Sequence, residues 1–144
     1  MSLLKQLARY RFARYIKLCF LLWDIVLLNS AIIISFLIRN GDISNIDLKE
    51  VKTISLLSNL LWIILLLYKD AYRIIRIERI ESILIRTIRL VLVHAALIAA
   101  FVIVLKFYEI SRLRLLYFYV IFFVFLVVSR VFFIHKLKFS IPPY

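Results

Sequence analysis

Residues 18–38 read LCFLLWDIVLLNSAIIISFLI, and this stretch decides the class of fold. A bilayer core of about 30 Å needs roughly 20 apolar residues per helix, with a range of about 17–25, and this run meets that length. Lipid offers no partner for backbone N–H and C=O groups, so a spanning segment is either a helix or a strand of a closed barrel. The run is continuously apolar instead of alternating, which selects a helix. Three further stretches follow the same reading: 53–68, TISLLSNLLWIILLLY, short but closed by the interfacial Tyr68; 90–108; and 115–134. Four are too few for a barrel. The expected fold is all-α, a four-transmembrane-helix bundle.

The composition of the 144 residues agrees. Hydrophobic residues make up 65% and charged residues 19%, with mean hydropathy +1.02, where soluble domains average about 45–50% apolar and about 25% charged. Disorder needs low hydrophobicity and is excluded, and a soluble enzyme fold is argued against. Gly41 is the single glycine, and Pro142 and Pro143 are the two prolines. Phosphate-cradling loops built on several glycines are therefore absent. Cys19 has no second cysteine to pair with, and two histidines with one cysteine make a poor metal set.

Lys and Arg in the flanks give an orientation. The opening segment 1–17 carries Lys5, Arg9, Arg11, Arg14 and Lys17, the link 69–89 carries Lys69, Arg73, Arg76, Arg79, Arg86 and Arg89, and Arg130, Lys136 and Lys138 lie at the far end. The other two links hold Arg39, Lys49 and Lys52, then Lys106, Arg112 and Arg114. Fourteen of the 20 basic residues fall inside if both termini are cytoplasmic. The third link, KFYEISRLR at 106–114, is basic for an outside loop and places the last two spans less firmly. The long basic start, full-length apolar run and lack of an A-x-A-like site read as an uncleaved anchor, not a signal peptide. The +12 net charge brackets apolar spans, which fits anionic lipid; no groove-reading module is present, so nucleic acid is not expected as a partner.

Two basic amphipathic segments flank the spans. In 70–89, DAYRIIRIERIESILIRTIR, Ile74, Ile77, Leu84 and Ile88 recur at helical spacing while Arg73, Arg76, Arg79, Arg86 and Arg89 mostly occupy other faces. This predicts an interfacial helix running into span three. Glu78 and Glu81 have no arginine three or four positions away, so these arginines are read as turned toward partners outside the helix. They either contact lipid head groups, a polyprenyl phosphate among them, or serve as a topological anchor with snorkelling side chains; the anchor is the plainer reading. The segment 3–17, LLKQLARYRFARYIK, is a weaker case of the same kind, expected to lie on the inner surface before entering at Leu18.

Asp24 is the most costly residue in the chain. A carboxylate inside a span costs about 2.5–3.5 kcal/mol on insertion scales and should face protein with a partner. Asp24, Leu28, Ala31 and Ser35 share one face, and at ~1.5 Å per residue Asp24 lies roughly 9 Å inside. His94, just inside span three, and Arg130, at the end of span four, are placed near the same depth. A catalytic pair or proton relay lacks a nucleophile or metal set to complete it. The expectation is structural: Arg130 neutralises Asp24, with His94 as a hydrogen-bonding neighbour. Ala95 with Ala99, and Ala96 with Ala100, would let another backbone approach. Asn29, Ser58 and Asn59 could hydrogen-bond across helices, and Trp23, Trp62 and the phenylalanines of span four read as packing or lipid-facing groups.

The order of elements resembles the N-terminal membrane region of the large polyisoprenyl-phosphate hexose-1-phosphate transferases, the undecaprenyl-phosphate glucose phosphotransferase family. The similar features are the basic start into a span with Asp24, then SNLLWIILLLYKDAYR at 58–73, the basic helix, and ISRLRLLYFYVIFFVFLVVSR at 110–130. Within them, Asn59 to Trp62, Tyr68 to Tyr72 and Ser111–Arg112 match stretches that recur in that family. The resemblance implies a bacterial inner-membrane location and a role in starting exopolysaccharide, capsule or O-antigen synthesis, by transfer of a sugar 1-phosphate from a nucleotide sugar to a polyprenyl phosphate. It also implies that the catalytic domain, with its Asp-Glu pair and magnesium, lies beyond Tyr144, so no catalytic residue, metal or cofactor is assigned to this chain.

The leading expectation is thus a non-catalytic anchoring module that positions a catalytic partner or assembles with its own copies. The alternatives are a small polyprenyl-lipid transporter or flippase component, with Asp24, His94 and Arg130 along a head-group path, and an assembly subunit of another membrane complex.

Overall fold

The structure, a computed structural model, describes residues 3–42, 44, 46–69, 80–107 and 110–139. Among these, regular structure is entirely helical: α1 (Leu3–Asn40), α2 (Leu48–Lys69), α3 (Ile80–Val104) and α4 (Arg112–Phe139). All four are long and apolar enough to cross a membrane, over Lys17–Asn40, Leu48–Tyr68, Glu81–Val104 and Arg112–Lys136. The described residues form a four-helix, multi-pass membrane bundle. Each helix packs on two neighbours in the cyclic order α1, α2, α3, α4, and successive helices run in opposite directions.

The helix ends are set by local chemistry. α1 stops at Gly41, whose φ of 72° is left-handed and whose N–H donates to Leu37 O at 2.9 Å, the αL cap that glycine favours. Asp47 caps α2: its Oδ1 accepts from Lys49 N–H at 2.9 Å and its carbonyl from Val51 N–H at 3.1 Å. α3 ends in a Schellman motif, with Phe107 N–H donating to Val102 O at 3.1 Å and Lys106 N–H to Ile103 O at 3.2 Å. The left-handed position there is held by Lys106, φ 54°. This motif closes α3 four residues short of the expected limit of 108. At the other end the described part of α3 begins at Ile80 and runs unbroken through Arg86 and Arg89 into the span, as expected of the basic helix that leads into it. The left-handed region costs a non-glycine residue roughly 1–2 kcal/mol, so Lys106→Gly is expected to stabilise by up to about 1 kcal/mol after glycine's unfolded-state entropy is counted. Gly41→Ala, where nothing lies within 4 Å of an added Cβ, is expected to cost about 1 kcal/mol from backbone strain alone. Thermal unfolding in detergent checks both signs.

α1 is helical without interruption from Leu3, so the opening segment extends the first span instead of forming a separate element. Likewise residues 80–89 are the first turns of α3, and within them Thr87 faces inward while Ile88 is exposed. Residues 70–79 of the expected interfacial helix lie outside the described residues.

The core is drawn from all four helices: Leu28, Ile32 and Phe36 of α1, Ile54 and Trp62 of α2, Leu90 and Val91 of α3, and Phe118, Phe122 and Leu126 of α4. Apolar residues also cover the outside. On α4 the exposed series Leu116, Val120, Val124, Val128 and Phe132 recurs every fourth residue, opposite the buried Phe118, Phe122 and Leu126. Apolar surface on this scale is covered by lipid. Ala96, Ala99 and Ala100 also lie on the outside of α3, so the small-residue ridge is not a contact within the bundle.

Candidate functional site

Polar groups inside the bundle fall into clusters at different depths. The first joins α1 to α4. Arg130 Nη2 donates to Asp24 Oδ2 at 2.8 Å, with the Asp24 side chain fully buried and that of Arg130 13% exposed. Trp23 Nε1 donates to Ser129 Oγ at 2.9 Å, one residue away on each helix. The Arg130 guanidinium also lies over the Phe20 ring at 5.3 Å. Phe20 in turn meets Phe133 edge-on at 4.7 Å. The expected face of α1 is found: Asp24, Leu28, Ala31 and Ser35 are all buried.

His94 does not belong to that cluster. Its Nε2 lies 3.1 Å from Ser58 O and its Nδ1 lies 3.0 Å from Tyr119 Oη. A carbonyl can only accept, so Nε2 carries the proton and Nδ1 accepts the Tyr119 O–H. One imidazole therefore ties α2, α3 and α4 together. Tyr119 precedes Arg130 by about 16 Å along α4, at ~1.5 Å per residue. His94 does not lie beside Asp24 as expected, because its span begins at Glu81 and not at Leu90, which puts it about 20 Å inside. Trp62 packs edge-on against His94 at 5.3 Å and against Phe122 at 5.0 Å.

Asn29 and Asn59 form a reciprocal amide pair between α1 and α2, at 3.1 and 3.0 Å, and Ser55 Oγ adds a 2.6 Å bond to Asn29 Oδ1. This is the cross-helix bonding expected of these residues, whereas Ser58 contributes its carbonyl to His94. At the end opposite the chain termini, Arg114 pairs with Glu50, donates to Asn40 Oδ1 at 3.3 Å and lies over the Phe36 ring at 4.2 Å. Sequence reasoning missed this junction of α1, α2 and α4. Its signal was faint: Glu50 stands three residues after the capping Asp47, where it reads as a helix-capping acid.

Of the arginines assigned to lipid head groups, Arg86 is half-buried and Arg89 exposed on the first turns of α3. Arg73, Arg76 and Arg79 lie outside the described residues. Among the described residues no group of three His, Cys, Asp or Glu is placed to hold a metal ion.

The fold and its interior thus define a multi-pass helical membrane protein whose polar residues tie helices together. Compared with known protein families, curated proteins and solved structures, the chain matches none.

Proposed function

We propose that the chain is the membrane-anchoring module of a bacterial polyprenyl-phosphate sugar-phosphate transferase, non-catalytic by itself, that holds a catalytic partner against the inner leaflet. The observation that carries this reading is the placement of charge on the bundle. Because the helices alternate in direction, the start of α1, the end of α2, the start of α3 and the end of α4 share one end. By chain position, 14 of the 20 basic residues but only four of the eight acidic ones belong to that end. An end of that character is retained in the cytoplasm and attracts anionic lipid, including the phosphate of a polyprenyl carrier. Arg86 and Arg89 then present α3 to head groups from the same side. The resemblance of 58–73 and 110–130 to the transferase family supplies the reaction. The aromatic filling around Trp62 and Phe122 favours an anchor over a head-group path through the bundle.

The test is immunoprecipitation from detergent-solubilised host membranes with an antibody to residues 40–52. The precipitate is expected to transfer sugar phosphate from a nucleotide sugar to polyprenyl phosphate, while the purified 17.2 kDa chain does not. The blotted size then tells whether the catalytic part is fused or separate. A precipitate with no transfer activity overturns the proposal.

A further inference from the structure

Ser58 Oγ and Trp62 Nε1 are both buried without a hydrogen-bond partner, on residues that are 0% exposed. They stand one helical turn apart on the inward face of α2, where side chains at i and i+4 are neighbours. Buried polar groups are paired in the great majority of cases, and each exception calls for a cause. Protein groups nearby are already committed. The Ser58 carbonyl takes the His94 N–H, and His94 Nδ1 takes the Tyr119 O–H. Rotating the Ser58 hydroxyl toward its own helix would satisfy the serine and leave the indole N–H with no acceptor.

We propose that Ser58 and Trp62 form an internal binding site for one small hydroxylic molecule, water being the smallest, that accepts from the Trp62 indole and exchanges a hydrogen bond with the Ser58 hydroxyl. The ligand must accept, because the indole is a donor only, and water or another hydroxyl can meet the Ser58 hydroxyl in either direction. A buried water of this kind acts as part of the structure. Here it joins two groups of α2 beside the imidazole of His94. The site stands independently of any transferase activity.

Two measurements on the full chain in detergent micelles test it, with bulk water as the probe. In nitrogen-15 tryptophan spectra, the Trp62 indole proton is expected to show a direct cross-relaxation peak to water that Ser58→Ala weakens. The Trp23 indole, which donates to Ser129 Oγ, serves as the internal comparison, and its signal should not respond to Ser58→Ala. Ser58→Ala is also expected to lower the thermal midpoint, since it removes one anchor of the bound molecule. A raised midpoint, the response to deleting an orphaned hydroxyl, overturns the proposal. So does a Trp62 indole proton with no contact to water.

Discussion

Charge reversal at either Asp24 or Arg130 is expected to abolish stable accumulation in the membrane, and reversal at both to restore a substantial part of it. The Asp24 side chain is fully buried and its Oδ2 accepts from Arg130 at 2.8 Å. Asp24→Arg sets two guanidinium groups side by side in a low dielectric, and Arg130→Asp does the same with carboxylates. Removing one partner of a buried pair costs about 3–5 kcal/mol because the other charge stays behind, and a like charge makes that worse. The double reversal regains the attraction but loses the stacking of Arg130 on Phe20, 5.3 Å away, so recovery is incomplete. A neutral pair, Asp24→Asn with Arg130→Gln, is expected to lie nearer wild type than Asp24→Ala alone, as replacing both charges removes the desolvation cost of each. Membrane abundance and unfolding in mixed micelles read these outcomes. A double reversal no better than either single would mean that the pair does not fix α1 against α4.

That pairing was legible in the sequence for a thermodynamic reason. A carboxylate in a span is costly enough to demand a counter-charge at its own depth, and Arg130 was a basic residue within a span. The spans themselves were legible because in lipid an apolar run has one regular solution. What the sequence concealed was where the third membrane span begins. The helix running into it through Arg86 and Arg89 is as the amphipathic pattern predicts, but hydropathy treats those arginines as the edge of the span, and starting it at Leu90 instead of Glu81 moved His94 from the middle of the bundle to its edge. The inward face of a span is concealed for a related reason. Lipid and protein interior are equally apolar, so Val120 on the outside and Phe122 on the inside of α4 carry no contrasting signal. The same lack of contrast leaves the side on which Ala96 and Ala100 lie, the outside of α3, unreadable from the sequence. Glu50 and Arg114 sit in flanking segments that read as solvated charge, and only the fold brings them together.

His94→Leu is expected to cost about 1–3 kcal/mol, chiefly by leaving the Tyr119 hydroxyl inside the bundle with no acceptor. Ser58 loses less, because its carbonyl lies within α2 and keeps its helical bond. The edge-on contact of Trp62 with the imidazole, 5.3 Å between centroids, gives way to ordinary apolar packing of similar volume. If this account is right, the damage is carried by Tyr119, and removing its hydroxyl repairs it. His94→Leu with Tyr119→Phe is therefore expected to unfold within about 1 kcal/mol of wild type, since replacing both members of a buried hydrogen bond by apolar groups is nearly neutral. Tyr119→Phe alone leaves Nδ1 of His94 without its donor and should fall between the two. Under the proposed anchoring role the double variant is expected to stay active, because nothing in that role asks His94 to move a proton. A chemical or transport role for the imidazole makes the opposite prediction: the double variant would be stable but inactive. Measuring stability and co-precipitated transferase activity on the same three variants separates a residue that ties α2, α3 and α4 together from one that does chemistry.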